Sequence, residues 1–229
     1  MSNRRAFPAF LASVFALLFF GLGNYLGARQ TADGDVRLAE LRAEVDFLRK
    51  RPVEATGTAG YVGNGYFITV KHGVIALGQD GLTEPRKIVS VKVMYKGRPL
   101  VAKVVDAGDA KVEVDPGDWA IVKVKEPIDL PALNVNLAYS FDFADPIFRL
   151  GNDYSKGIIL STGYVGQRTT GSLVTCLTDG HPGVSGGGVL NRTGELVGIP
   201  IGRMQGDYRF SFILPLRQEM FKKIPHLDS

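Results

Sequence analysis

Residues 178 to 191 read Thr-Asp-Gly-His-Pro-Gly-Val-Ser-Gly-Gly-Gly-Val-Leu-Asn, a stretch in which one serine, Ser185, stands among glycines ahead of an apolar run. Glycine allows the positive φ of a tight turn, so neighbouring backbone N–H groups can converge on one point while the serine hydroxyl stays exposed. Such a turn can stabilise an oxyanion beside a nucleophile. The same residue types are also common in ordinary surface turns. The stretch therefore fits either a nucleophile loop or a surface loop, and two distant segments favour the first.

These two segments supply the other groups that a serine nucleophile needs. The apolar run Phe67–Thr69 ends shortly before His72, and Asp118 directly precedes the apolar run Trp119–Val124. An imidazole can take the serine proton, and a carboxylate can orient the imidazole and stabilise its charged form. The other two histidines lie close to the serine or near the C-terminal end. We predict His72 as the general base, Asp118 as the orienting carboxylate and Ser185 as the nucleophile.

The order His72, Asp118, Ser185 resembles the catalytic triad of the trypsin/chymotrypsin-like serine proteases of the PA clan. Beyond the serine, residues 185–199 and Phe212–Pro215 are similar to the bacterial HtrA/Deg branch of that family. The resemblance covers about residues 58–216 and implies an all-β fold of two six-stranded antiparallel β-barrels with the site between them. Relatives in the HtrA/Deg branch usually carry a peptide-binding PDZ domain, and we expect none in this chain.

The resemblance also implies which groups surround the nucleophile. The backbone N–H groups of Gly183 and Ser185 would form the oxyanion hole. Substrate-binding residues would come from the segment before the serine and from the strand that follows it. They are Asp179, His181, Gly198, Ile199 and Pro200.

Three substrate preferences stay open at this point. Asp179 would lie at the base of the primary specificity pocket and would favour Lys or Arg, because a buried carboxylate is best satisfied by a cation. The segment Gly198–Ile201 would instead narrow the pocket toward small aliphatic residues. His181, if it faces the pocket, would favour an acidic or other residue.

The rest of the chain from about residue 57 reads as short apolar segments separated by turns such as Lys96-Gly97 and Asp115-Pro-Gly117, which is typical of a barrel protein. Strands are predicted at residues 87–95, 100–105, 119–124, 147–150, 158–165, 173–177, 187–190, 194–200 and 212–215.

Composition limits the classes of protein that fit. The chain has 229 residues, of which 45% are apolar, enough for one large core or two small barrels that share an interface. The net charge of +4 is modest and the Lys and Arg residues are scattered, so we expect no nucleic-acid partner. Cys176 is the only cysteine, which excludes an intramolecular disulfide. We expect no metal and no organic cofactor, because scattered histidines and one cysteine offer no ligand set.

The N-terminal part predicts a membrane segment. Residues 6–23 carry no charge and would span about 27 Å as a helix, which is enough for a single crossing. Arg4 and Arg5 would keep the N-terminus in the cytoplasm and place the rest of the chain on the extracytoplasmic side. A cleaved signal peptide is the alternative, although Leu26 stands where a cleavage site needs a small residue.

A charged helical segment follows, with apolar residues at Leu38, Leu41, Val45 and Leu48. This spacing fits two heptads of a coiled coil, so residues 36–50 would either join protomers into a homo-oligomer or form a solvated spacer. The predicted organisation is an anchor or signal peptide at 1–28, a helical spacer at 29–56 and a protease domain at 57–229.

Together these features predict a membrane-anchored serine endopeptidase that hydrolyses polypeptides through an acyl-enzyme intermediate. The alternative is a catalytically inactive protease-fold module that binds extended peptides by strand addition. A phage or viral origin stays open beside a bacterial one.

Overall fold

The computed structural model describes residues 56–77, 88, 90–153, 157–225 and 227, which all belong to the compact unit Pro52–Ser229. This part of the chain consists of β-strands and one short 3-10 helix, Gln218–Phe221, so the predicted all-β class is confirmed. In chain order the strands are β1 (Gly60–Gly63), β2 (Tyr66–Thr69), β3 (Val91–Tyr95), β4 (Arg98–Ala107), β5 (Ala120–Val124), β6 (Pro146–Asp153), β7 (Gly157–Arg168), β8 (Val174–Leu177), β9 (Val189–Leu190), β10 (Leu196–Met204) and β11 (Asp207–Pro215).

The N-terminal strands form an antiparallel sheet with the order β1-β2-β5-β4-β3. Side chains of this sheet form a core cluster that includes Phe67, Ala102, Ala120 and Val122. This sheet has five strands and two free edges among the described residues, whereas the sequence predicted a closed six-stranded barrel. Residues 78–87 and 89, which lie between β2 and β3 in the chain, are outside the described part.

The C-terminal strands close into the predicted six-stranded barrel, with the order β10-β11-β8-β7-β6-β9. Its interior is packed with aliphatic side chains from several strands, among them Ile147, Val174, Val189 and Ile213. Because closure pairs the short strand β9 with both β6 and β10, it leaves no edge at Val189 and Leu190.

A third core cluster lies between the sheet and the barrel. It joins Ile68 and Ile121 of the sheet to Ile199 and Leu214 of the barrel, all fully buried. The segment after β11 completes this cluster with four more buried side chains, Leu216, Met220, Phe221 and Ile224. The two halves of the fold therefore share one apolar interface, and burial of this area is what holds them together.

The predicted membrane segment at 6–23 and the predicted helical spacer at 36–50 lie outside the described residues. Within the described ranges, no helix is both long enough and apolar enough to cross a membrane.

Candidate active site

His72 lies in a turn that directly follows the buried strand β2. Within this turn the N–H groups of Val74 and Ile75 both donate to the carbonyl of Lys71, at 2.9 and 2.8 Å. The Lys71 ammonium donates in turn to the carbonyl of Ala110 at 2.7 Å, which ties the turn to the loop between β4 and β5. The His72 side chain is 18% exposed. The turn is therefore fixed on two sides while the imidazole keeps an open face.

Asp118 lies two residues before β5 and is fully buried. Thr69 of β2 pairs with Ala120 of β5, and this register brings Asp118 beside His72. One carboxylate oxygen, Oδ2, lies 2.6 Å from His72 Nδ1, and the other, Oδ1, accepts the backbone N–H of His72 at 3.0 Å. Because Nδ1 then carries the proton, Nε2 of the neutral imidazole is left to act as the base.

Burial and neighbouring charges have opposite effects on the pKa of His72. Burial alone would lower the pKa of His72, but the hydrogen bond and negative charge of Asp118, together with the charge of Glu113, raise the pKa above its ordinary value of 6.5. The carboxylate therefore favours the protonated imidazole, which is the form a general base must adopt during attack.

The nucleophile loop, residues 178–188, connects β8 to β9 and contains Ser185. Gly183 and Gly186 both have positive φ, 94° and 82°, as the sequence predicted for a tight turn at this position. The N–H of Gly186 donates to the carbonyl of Pro200 on β10 at 2.9 Å. Val184 is buried beneath the turn, and Ser185 is half-buried.

One residue at this loop, Thr58, was not singled out by the sequence. Its N–H donates to the carbonyl of Ser185 at 2.9 Å, and its hydroxyl donates to the carbonyl of Gly183 at 2.7 Å. No local pattern indicates this role, because both partners lie more than a hundred residues further along the chain.

The predicted substrate-binding residues fall into two environments. Gly198, Ile199 and Pro200 are buried in β10, His181 is half-buried, and Asp179 is exposed. The exposure of Asp179 agrees less well with a desolvated pocket base, which is one of the three alternatives that the sequence left open.

A second residue that the site-residue prediction did not include lies near the same segment. Arg203, half-buried on β10, donates from Nη1 to the carbonyl of Gly180 at 3.3 Å. Its cross-strand partner Ser211 donates from Oγ to the carbonyl of Thr178 at 2.9 Å. Two side chains on neighbouring strands thus hold the start of the nucleophile loop against the barrel.

Cys176 does not compete with Ser185 as a nucleophile. It is fully buried in β8, and burial raises the pKa of its thiol to about 12. A thiol held in this state is not available as a thiolate near neutral pH. Within the described ranges, no three His, Cys, Asp or Glu side chains are grouped as metal ligands.

The chain is similar in sequence to a known protein family and to curated proteins. The trypsin-like peptidase domain family matches residues 56–199. The serine endoprotease DegS of Salmonella typhimurium and that of Escherichia coli K12 are each 29% identical to the chain over 143 residues, or 59% of this chain. The chain spans 36% of the length of these curated relatives.

Solved structures share the fold. The crystal structure of a serine endoprotease from Yersinia pestis has a TM-score of 0.59 at 21% identity and covers 77% of this chain and 58% of that one. The active form of the Rv3671c protease from M. tuberculosis has a TM-score of 0.56 at 21% identity and covers 69% and 68% of the two chains.

The pair His72–Asp118 predicts a measurable titration. Proton NMR of the imidazole C–H groups should give His72 a pKa above 6.5 in the wild type and a lower pKa in Asp118→Asn. The amide carries no negative charge, so it cannot offset the lowering of the pKa by burial. His181→Gln and His226→Gln variants assign the signals. A pKa of His72 that does not change in Asp118→Asn would contradict this account.

The raised pKa of His72 also determines how the stability of the fold changes with pH. Since the pKa of His72 is higher in the folded than in the unfolded state, the contact stabilises the fold fully below the unfolded value of 6.5. The contribution is lost as the pH rises through the folded pKa.

Proposed function

Because the chain belongs to the trypsin-like peptidase domain family, we propose that it is a serine endopeptidase that cleaves polypeptides through an acyl-enzyme intermediate. The observation that carries the proposal is the contact of 2.6 Å between His72 Nδ1 and a fully buried Asp118, which leaves the opposite ring nitrogen as a base. A serine in a glycine turn at the end of a barrel strand supplies the nucleophile.

In the proposed reaction, Ser185 Oγ attacks the carbonyl carbon of the cleaved peptide bond while His72 Nε2 takes the hydroxyl proton. Asp118 stabilises the imidazolium that results, and the N–H groups of Gly183 and Ser185 stabilise the oxyanion. The imidazolium then gives its proton to the leaving amine, and the C–N bond breaks to leave an ester on Ser185. A water molecule, deprotonated by His72, attacks that ester. The bond between the acyl carbon and Ser185 Oγ then breaks, and the imidazolium returns its proton to Oγ as the acid product leaves.

A peptide-binding module without catalysis is the second candidate. Strand β10 favours it in one respect, because β9 pairs only with Leu196 and Gly198 while β10 continues to Met204. The carbonyl of Pro200 accepts the N–H of Gly186, so a peptide would pair with the edge beyond Pro200. A substrate uses the same edge, so the two candidates differ only in whether Ser185 reacts.

The test is labelling with a fluorophosphonate together with proteolysis of a denatured protein substrate. Ser185→Ala should abolish both, and Asp118→Asn should lower kcat by about 10⁴ with the fold intact. Ser140→Ala removes an exposed hydroxyl that donates to Asp142 and serves as the control, with full activity expected. A Ser185→Ala protein that still labels would end the assignment, and a wild type that binds peptides without labelling would favour the inactive module.

The environments of Asp179 and Arg203 bear on substrate choice. The Asp179 carboxylate is exposed, so it attracts a cationic side chain weakly. Arg203 is half-buried and bonds to Gly180, the residue between Asp179 and His181. We propose that the guanidinium favours an acidic residue on the N-terminal side of the cleaved bond.

Matched peptides that differ only in that residue, with Glu, Lys or Val, measure this preference. Arg203→Gln should lower kcat/KM for the Glu peptide by about 10- to 100-fold, the value of a charge-assisted hydrogen bond, with little effect on the Val peptide. Asp179→Ser serves as the control and should leave the profile unchanged. If cleavage after Lys dominates and is lost in Asp179→Ser, the Asp179 carboxylate determines specificity instead. If cleavage after Val dominates and neither variant changes it, the pocket residues Gly198–Pro200 determine specificity.

The location follows from the N-terminal sequence. We propose that residues 6–23 form a single-span anchor, with Arg4 and Arg5 in the cytoplasm and the protease domain on the extracytoplasmic side. The length and lack of charge of this segment support the proposal.

Washing membranes with alkaline carbonate should therefore leave the full-length protein in the pellet, while a variant that lacks residues 1–28 should appear in the supernatant. A mature soluble form of the full-length protein that begins near Arg29 would identify the segment as a signal peptide instead.

A further inference from the structure

Thr58 uses its backbone and its side chain to bind the nucleophile loop. The residue lies two positions before β1, at the side of the sheet that faces the barrel. Its hydroxyl donates to the carbonyl of Gly183 at 2.7 Å and accepts the N–H of Asn152 on β6 at 2.8 Å. Its backbone N–H donates to the carbonyl of Ser185 at 2.9 Å. One residue thus contacts the peptide groups on both sides of the Val184–Ser185 peptide unit.

These contacts fix two peptide units, one on each side of the unit that joins Val184 to Ser185, and each is held at both of its ends. The unit that joins Gly183 to Val184 is held by the Thr58 hydroxyl at its carbonyl and by the carbonyl of His181, 3.4 Å away, at its N–H. The unit that joins Ser185 to Gly186 is held by the Thr58 N–H at its carbonyl and by the carbonyl of Pro200 at its N–H.

The peptide unit between these two contains the N–H of Ser185, which the proposed mechanism aims at the oxyanion. Its carbonyl, that of Val184, accepts the N–H of Gly187 at 3.1 Å. With both neighbours fixed, rotation of this unit would need to break the contacts on either side. The Val184 side chain is apolar and 4% exposed, so it offers no charge that could orient the loop.

Thr58 is also bound to the strand that leads to the base. The Thr69 hydroxyl, at the end of β2, donates to the carbonyl of Thr58 at 2.7 Å. The loop packs closely here, since a Cβ added at Gly186 would collide with Thr69 Oγ1 and with the Thr58 carbonyl. A short series of hydrogen bonds therefore connects the strand before His72 to the turn at Ser185.

We propose that Thr58 is a positioning residue that sets the orientation of the Ser185 N–H, and thereby of the oxyanion hole, through its hydrogen bonds to the carbonyls of Gly183 and Ser185. The inference rests on the proposed serine-protease function of the same site. It predicts that the Thr58 hydroxyl affects the transition state, in which the oxyanion forms, more than it affects the binding of substrate.

The experiment measures kcat and KM for the small ester 4-nitrophenyl acetate, which reports on the nucleophile and oxyanion hole without using the peptide-binding strand. Thr58→Val replaces the hydroxyl by a methyl group of similar size. We expect kcat to fall by about 10²-fold, as for other displacements of catalytic groups by about an ångström, with KM changed by less than about two-fold. Thr58→Ser keeps the hydroxyl and should retain nearly full kcat.

Thr175→Val is the matched control. The Thr175 hydroxyl also donates to a backbone carbonyl, that of Gln167 at 3.2 Å, and accepts a backbone N–H, that of Gln167 at 2.9 Å, but on β8 within the barrel wall. Its loss should change the melting temperature without changing kcat. If Thr58→Val does not fold, Thr58→Ala provides the same comparison, because it keeps the backbone hydrogen bonds of residue 58.

The outcomes separate the two levels of the proposal. A wild type that reacts with neither the ester nor a fluorophosphonate would overturn the proposed function. A reactive wild type with unchanged kcat in Thr58→Val, or an equal loss in Thr58→Ser, would overturn the role of Thr58 and leave the proposed function in place.

Discussion

The buried carboxylate of Asp118 is the constraint on which the rest of the site depends. A desolvated charge is costly unless it is hydrogen-bonded, and this one is satisfied at both oxygens by a single residue, through the ring and the backbone N–H of His72. The carboxylate therefore fixes where the imidazole lies, which proton it holds and how readily it accepts a second one. The paired strands β2 and β5 make this contact possible, because their register determines which residues meet just beyond the strand ends.

His72 and Ser185 belong to different halves of the fold, so their relative position depends on how the halves are joined. Apolar side chains such as Ile68 and Ile199 pack together in the core cluster between the halves. Burial of this kind is strong but has little direction. Direction comes from a few polar contacts across the interface, which include those of Thr58 with Gly183 and Ser185. The core thus holds the halves together while the hydrogen bonds align them.

Local sequence patterns predicted the parts of this arrangement that are themselves local. The glycine turn around Ser185, the apolar run before His72 and most barrel strands could be located because each has its own periodicity or turn chemistry. Long-range pairing decided the rest. Strand β10 continues past Pro200 to Met204 because β11 pairs with it, and the exposure of Asp179 depends on how the nucleophile loop lies on the barrel. Thr58 stands in a short run of Thr and Gly that resembles a linker, and its partners are too distant for any pattern to reveal.

The position of Ile224 in the core between sheet and barrel has a consequence for the order of events during synthesis. The turn that bears His72 and the loop that bears Ser185 both leave the ribosome before the segment Met220–Ile224, yet the interface between the two halves lacks three buried side chains until that segment arrives. A nascent chain therefore contains both residues before the core cluster between the sheet and the barrel is complete. The two halves can reach their final alignment only after residues 220–224 have been synthesised, so the last step in forming this site depends on a segment that contributes no side chain to it.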